Sequence, residues 1–229
     1  LEEVRSLASV IALTGGSLLI SDDLSNVSPA RMRIAECLIP VIGERARVVD
    51  WFDREMPEKL RLDLLNDTGE WHVLGAFNWE DRPREFTLVP EDFGLEEGDY
   101  WLCEFWRGQL VRFNSQVPAV LRAVGAHGAV VCAVRRAVPG HALYLGSDLH
   151  ISQGLEVSAW NEQIDRLEFK LRLPRTARGN VVVSVPRAVE RVSVNDRDVA
   201  AKTIEGGALQ IPVTLEGFAT IAVRFRPVK

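Results

Sequence analysis

The stretch "LTGGSLLISDDLSNVSPARMRIAECLIPVIG", residues 13 to 43, constrains the fold more than any other part of this chain. Ser17 to Ile20 is a short apolar run behind Gly15-Gly16. It is too short for a helix and apolar on both faces, the pattern of a strand buried in a parallel sheet. Asp22 and Asp23 close it. Ser28 then offers a capping oxygen, Pro29 suits the first helical position, and Ala30, Ile34, Cys37, Leu38 and Val41 form an apolar stripe that ends at Gly43. Upstream, Val4, Leu7, Ala8 and Ile11 recur at helical spacing between Glu2 and Leu13. Helix, parallel-type strand, acidic loop and helix make one βα unit. A parallel strand reaches its neighbour only through a crossover of about a dozen residues or more, and nothing downstream supplies one.

From Ala46 the pattern changes to short β-rich runs separated by turn residues, as in an antiparallel sandwich. Lys59 to Leu65 alternates, with Leu60, Leu62 and Leu64 on one face and Arg61 and Asp63 on the other, as a half-buried strand does. Trp71 to Trp79, Ala129 to Ala137 and Ala142 to Leu145 continue the series. A second block after Gly154 holds Arg166 to Leu173, Asn180 to Val185, Val189 to Val194, Ala208 to Val213 and Ala219 to Phe225, with Asn195-Asp196 and Glu205-Gly206-Gly207 as turns. The expected class is mainly β. Residues 1–45 read as the end of a barrel domain, 46–153 as an antiparallel β-sandwich and 154–229 as a smaller β domain.

Composition removes several functions. Twenty-seven Lys and Arg against 32 Asp and Glu give a net charge of -5, with no basic run interleaved with aromatics, so no nucleic-acid partner is expected. No apolar stretch approaches the ~20 residues that span a bilayer, so no membrane helix is expected. Cys37, Cys103 and Cys132 are odd in number and set among apolar residues, which favours reduced core thiols and a cytoplasmic setting. His72, His127, His141 and His150 fall singly, without metal-ligand spacing, and no nucleophile elbow or phosphate loop is present. No metal and no cofactor are expected. The chain opens on Leu1 without an initiator Met, which suggests sequence upstream.

Asp22 and Asp23 are the candidate site residues. At the carboxyl end of a parallel strand, carboxylates can bind sugar hydroxyls or move protons, while one of them could equally cap the loop. Glycoside hydrolysis takes two carboxyl groups about 5 to 10 Å apart across the scissile bond. Adjacent residues of an extended chain point to opposite faces, so this pair suits that task poorly, and no catalytic residue is assigned. Trp51, Trp71, Trp79, Trp101, Trp106 and Trp160 could stack on sugar rings, although such residues more often fill a core.

The stretch at 12–43, with its small-residue run, "SDDL" loop and Ser-Pro-x-Arg helix start, resembles the last strand and helix of the barrel in melibiase-type α-galactosidases, glycoside hydrolase families twenty-seven and thirty-six. "WHVLGAFNWED" (71–81) and "ALYLGSDLHISQG" (142–154) are similar to segments of the β domain that follows. The resemblance covers roughly the first 155 residues. It implies the last βα unit of a (β/α)8 barrel followed by antiparallel β-sandwich domains, the carboxy-terminal portion of a retaining glycosidase. The catalytic Asp residues would stand on earlier barrel strands, so the implied partners are the amino-terminal remainder of that enzyme and, through it, a glycoside or oligosaccharide. Asp22 or Asp23 would match an acidic residue beside the substrate pocket. The rival reading is a non-catalytic β module that binds carbohydrate or protein.

Overall fold

The structure, a computed structural model, describes residues 1–227. Helix α1 (Glu2–Thr14) carries Glu2 and Glu3 at its positive end and terminates at Gly15, whose φ of 70° a side chain would resist. Helix α2 (Pro29–Glu36) begins at Pro29, as expected, but the Ser28 carbonyl rather than its hydroxyl holds the first turn, accepting from the N–H groups of Arg31 and Met32. It stops well before Gly43. Pro40 has no N–H to continue the ladder, and the Cys37 carbonyl accepts instead from the N–H of Ile151.

Ser17 to Ile20 is not a strand here. It lies outside every sheet, with Leu19 83% and Ile20 41% exposed. Strand geometry needs a hydrogen-bonding neighbour, and among the described residues none runs beside this segment.

The strands in chain order are β1 (Arg47–Val48), β2 (Lys59–Asn66), β3 (Gly69–Phe77), β4 (Arg84–Leu88), β5 (Tyr100–Glu104), β6 (Leu110–Phe113), β7 (Ala119–Val124) and β8 (Ala129–Arg136). They are followed by β9 (Leu143–Ser147), β10 (Val157–Glu162), β11 (Arg166–Ser184), β12 (Val189–Val194), β13 (Arg197–Asp198), β14 (Lys202–Thr203) and β15 (Leu209–Phe225). All pairings are antiparallel.

The first sheet has the order β1-β2-β3-β8-β5-β6 and is covered on both faces. Val73, Phe77, Ala129, Val131 and Ala133 turn toward Leu13, Ile34 and Leu38 of the helical segment. Leu74, Ala76, Val130, Cys132 and Val134 turn toward Phe86, Leu88 and Leu121 of the small β4-β7 sheet. Double coverage is why β8 is buried from Ala129 to Arg135 and does not show the alternation of a half-buried strand. α1 sits so close to β3 that a Cβ on Gly75 would lie 2.8 Å from Leu13 Cδ1, a contact only glycine avoids.

The second sheet runs β10-β11-β15-β12-β13, with β14 added to β15 and β9 to β11. Where the sequence suggests one strand on each side of "PRTARG" and two separate runs at Ala208 to Val213 and Ala219 to Phe225, β11 and β15 are single long strands paired from Arg166↔Arg224 to Val183↔Leu209. A bulge between Arg172 and Thr176 takes up Pro174, which has no N–H to give the ladder. Both halves of this ribbon then share one core that includes Phe169, Leu171, Val181, Ile211, Leu215 and Ile221. Asn195 and Asp196, at φ 49° and 62°, form the tight turn between β12 and β13. β10 had no clear signal in the sequence.

Candidate functional site

Asp22 and Asp23 lie on the rim of a groove of about 610 Å³ between α1, the 17–28 segment and α2. Its lining is largely apolar, with Leu7, Ile11 and Leu18, and includes Arg31 of α2. Asp23 is occupied locally. Its carboxylate accepts from the Ser25 N–H (3.1 Å), the Ser25 hydroxyl (2.6 Å) and Asn26 Nδ2 (2.8 Å), closing a short helical turn at Leu24–Asn26. The Ser25 hydroxyl, then its N–H, hold this exposed carboxyl below the usual carboxylate range. Asp22 is exposed and, among the described residues, accepts no hydrogen bond. The geometry therefore separates the two: Asp23 shapes the loop and Asp22 presents an unoccupied carboxylate.

At the end of α2 lies a buried polar junction that sequence reading missed. The His150 ring is fully buried, with Nε2 2.7 Å from the Pro40 carbonyl and Nδ1 2.7 Å from Ser152 Oγ. The carbonyl can only accept, so Nε2 carries the hydrogen and Nδ1 accepts from the serine. Arg33 donates to the Asp148 carbonyl, and Arg175 Nη2 donates to the Leu149 carbonyl at 2.6 Å. One segment, 148–153, thus clasps the α2 end to both β blocks. The only sequence signal was the density of small and polar residues in "GSDLHISQG", which fits a loop as well as a buried knot.

Burial pushes the His150 pKa down, against the pull of Glu156 and the Pro40 carbonyl. His72 on β3 is also lowered by burial, opposed by its hydrogen bond to Asp63. For both, the unfolded chain takes up a proton near pH 6.5 while the folded chain resists until lower pH. Stability from these histidines is therefore full above that range and lost as pH falls through the folded pKa values. Unfolding free energy measured by urea titration is expected to fall between pH 7 and 5, by at most about 1.4 kcal/mol per pH unit for each histidine. His150→Gln should flatten its share of the slope; an unchanged slope would refute the assignment.

The other buried carboxylates hold structure. Asp50 accepts from the N–H groups of Glu58 and Lys59, and Glu58 receives Arg54 and Arg84. Burial raises Glu104, which accepts from the Arg107 N–H at 2.5 Å. Burial likewise raises the Cys37 thiol to about 11 and the Cys103 thiol to about 12, which leaves them unreactive. Among the described residues no group of three or more His, Cys, Asp or Glu could hold a metal ion, and no helix is long and apolar enough to cross a membrane. The tryptophans mostly pack: Trp71 and Trp101 are buried, Trp79 stacks on Phe77 and Trp106 donates to Ser9 Oγ. Trp51 stays 59% exposed beside Phe52, which is 95% exposed.

No protein-family model and no curated protein matches this sequence. Among solved structures, the chain is similar to α-galactosidase I from Mortierella vinacea at 16% identity and a TM-score of 0.48, over 59% of this chain and 36% of that one. It is similar to a GH27 β-L-arabinopyranosidase from Geobacillus stearothermophilus at 13% identity and a TM-score of 0.48, over 60% and 31%. For the α-galactosidase of Saccharomyces cerevisiae solved with raffinose the values are 14% and 0.43, over 59% and 44%. These are enzymes of the class that the motifs at 12–43, 71–81 and 142–154 resemble. The chain spans less than half the length of each. At TM-scores below 0.5 the likeness decides nothing about chemistry, which has to come from the residues.

Proposed function

We propose that these 229 residues serve as the carboxy-terminal portion of a retaining, α-galactosidase-like glycoside hydrolase. One observation carries the reading: an apolar run, Leu18 to Ile20, lies between two helices and outside every sheet, with Leu19 and Ile20 exposed, and ends in the unoccupied carboxylate of Asp22. Strands of a parallel barrel closing on such a run would take it out of water and supply its hydrogen bonds. Residues 1–45 then complete the barrel, 46–153 form the sandwich that buttresses it, and 154–229 form the outer β domain.

In this reading the catalytic carboxylate pair stands on other barrel strands, about 5 Å apart for a double displacement with retention. Asp22, at the strand's carboxyl end, accepts a hydrogen bond from a sugar hydroxyl. Asp23 holds the loop through Ser25 and Asn26. The three local donors on Asp23 and none on Asp22 support that division.

The test is hydrolysis of p-nitrophenyl α-galactoside by the longer reading frame that contains this chain. Turnover with retained anomeric configuration is expected, and Asp22→Ala should lower kcat/KM by about tenfold or more, the loss of one charged hydrogen bond to substrate. Residues 1–229 alone should show no turnover. A reading frame without about seven further βα units upstream would sink the proposal, as would turnover by the isolated chain.

A further inference from the structure

The second sheet carries a groove of about 820 Å³ that the reading above does not use. It lies on the outward face of the β11–β15 ribbon and is walled by the β12–β13 hairpin. Along both strands the inward residues Ala177, Val181, Val213 and Leu215 are buried, while Arg178, Thr214, Glu216 and Phe218 face out. Phe218 is 69% exposed.

A single exposed phenyl ring needs no explanation by itself. This one has unusual neighbours. Arg172 lies directly across the ladder from Phe218, Arg178 lies across from Thr214, and Arg197 projects from the hairpin. Among the described residues none of these three arginines, nor Glu216, forms an ion pair. Two of these unpaired guanidinium groups, Arg178 and Arg197, line the groove against the single carboxylate of Glu216, on a chain of net charge -5. An exposed aromatic face beside unspent donors suits a ligand with an apolar C–H face, hydroxyl groups and a negative charge.

We propose that this groove binds an acidic carbohydrate, a uronic-acid oligosaccharide whose ring lies on Phe218 and whose carboxylate is held by Arg178 and Arg197. Aromatic faces take the C–H side of a sugar ring. Guanidinium groups bind carboxylates through paired, charge-assisted hydrogen bonds. Glu216 and Thr214 remain for the hydroxyls. The inference is independent of the barrel reading, because every residue it uses lies on the outer β domain.

Calorimetric titration of the full chain with trimers of galacturonic and of glucuronic acid tests it, with galactotriose as the neutral control. Saturable binding of at least one acidic trimer is expected, weakening as salt is raised. Phe218→Ala and Arg178→Ala should each weaken it by about tenfold or more. Both side chains are exposed, so thermal unfolding of the variants should match the parent. Absence of saturable binding by either acidic trimer, equal affinity for galactotriose, or binding untouched by Phe218→Ala would each overturn the proposal.

Discussion

Glu156→Ala is expected to remove about 3–5 kcal/mol from the unfolding free energy, read as a drop in the urea midpoint at unchanged slope. Glu156 is 1% exposed, and its carboxylate accepts from Tyr144 Oη (2.8 Å), the Gly154 N–H (2.8 Å) and the Ser147 hydroxyl. Alanine would leave all three donors in a dry interior with no partner. It would also remove negative charge near the fully buried Arg135, whose pKa burial already pushes down to about 10 against the opposing pull of Tyr144 and Glu156. Uncompensated buried charge is the costly outcome, more than the loss of any one bond. Glu156→Gln keeps an acceptor oxygen and should lose less. A Glu156→Ala protein within about 1 kcal/mol of the parent would mean that water replaces the carboxylate and that this junction is not dry.

Trp71→Ala should cost a similar amount, about 3–5 kcal/mol, the range for removing a large buried aromatic. Trp71 is fully buried on β3, paired with Leu64 of β2 near the hairpin turn, and its Nε1 donates to the Ser152 carbonyl at 2.9 Å. The Arg135 guanidinium lies 4.6 Å from its ring centroid, so the indole offers a cation a favourable face where water is excluded. The fit is tight: a Cβ on Gly154 would sit 2.6 Å from the ring, which leaves no room for a neighbour to collapse inward. Trp71→Phe keeps an aromatic face but drops the hydrogen bond, and should fall between alanine and the parent. Because Trp71 and Glu156 both act on Arg135, the double variant should be less unstable than the sum of the singles. Strict additivity in chemical denaturation would separate them and refute the shared junction.

These two side chains illustrate what can be read without coordinates. Trp71 was legible as a core residue, since a tryptophan in a β-rich run has few other uses. Its role beneath a buried arginine was not, because Arg135 follows it by more than sixty residues and no local pattern links them. Asp23 as a loop cap was one of two local readings, and Ser25 and Asn26 beside it supply the donors. The freedom of Asp22 follows only once those donors are seen to go elsewhere. Phe218, just ahead of the run Ala219 to Phe225, carries no local signal of its own. Its exposure depends on β11 and β15 forming one bent ribbon, and the hairpin that walls its groove lies about twenty residues earlier in the chain.

The sequence by itself determined the helical segment, the switch at Ala46 to antiparallel β structure and most strand positions. Those depend on periodicities of 3.6 and 2 and on turn chemistry, all of which act over a few residues. Only the tertiary structure decided that β8 is covered on both faces, that β11 and β15 run unbroken past Pro174, and that 148–153 ties the α2 end to both β blocks. It also decided that Ser17 to Ile20 lies in no sheet, because a strand exists only through its neighbours. Each of these outcomes is a pairing or a burial between residues far apart in the chain. Such contacts are set by how whole layers meet, and the local order of side chains carries no record of them.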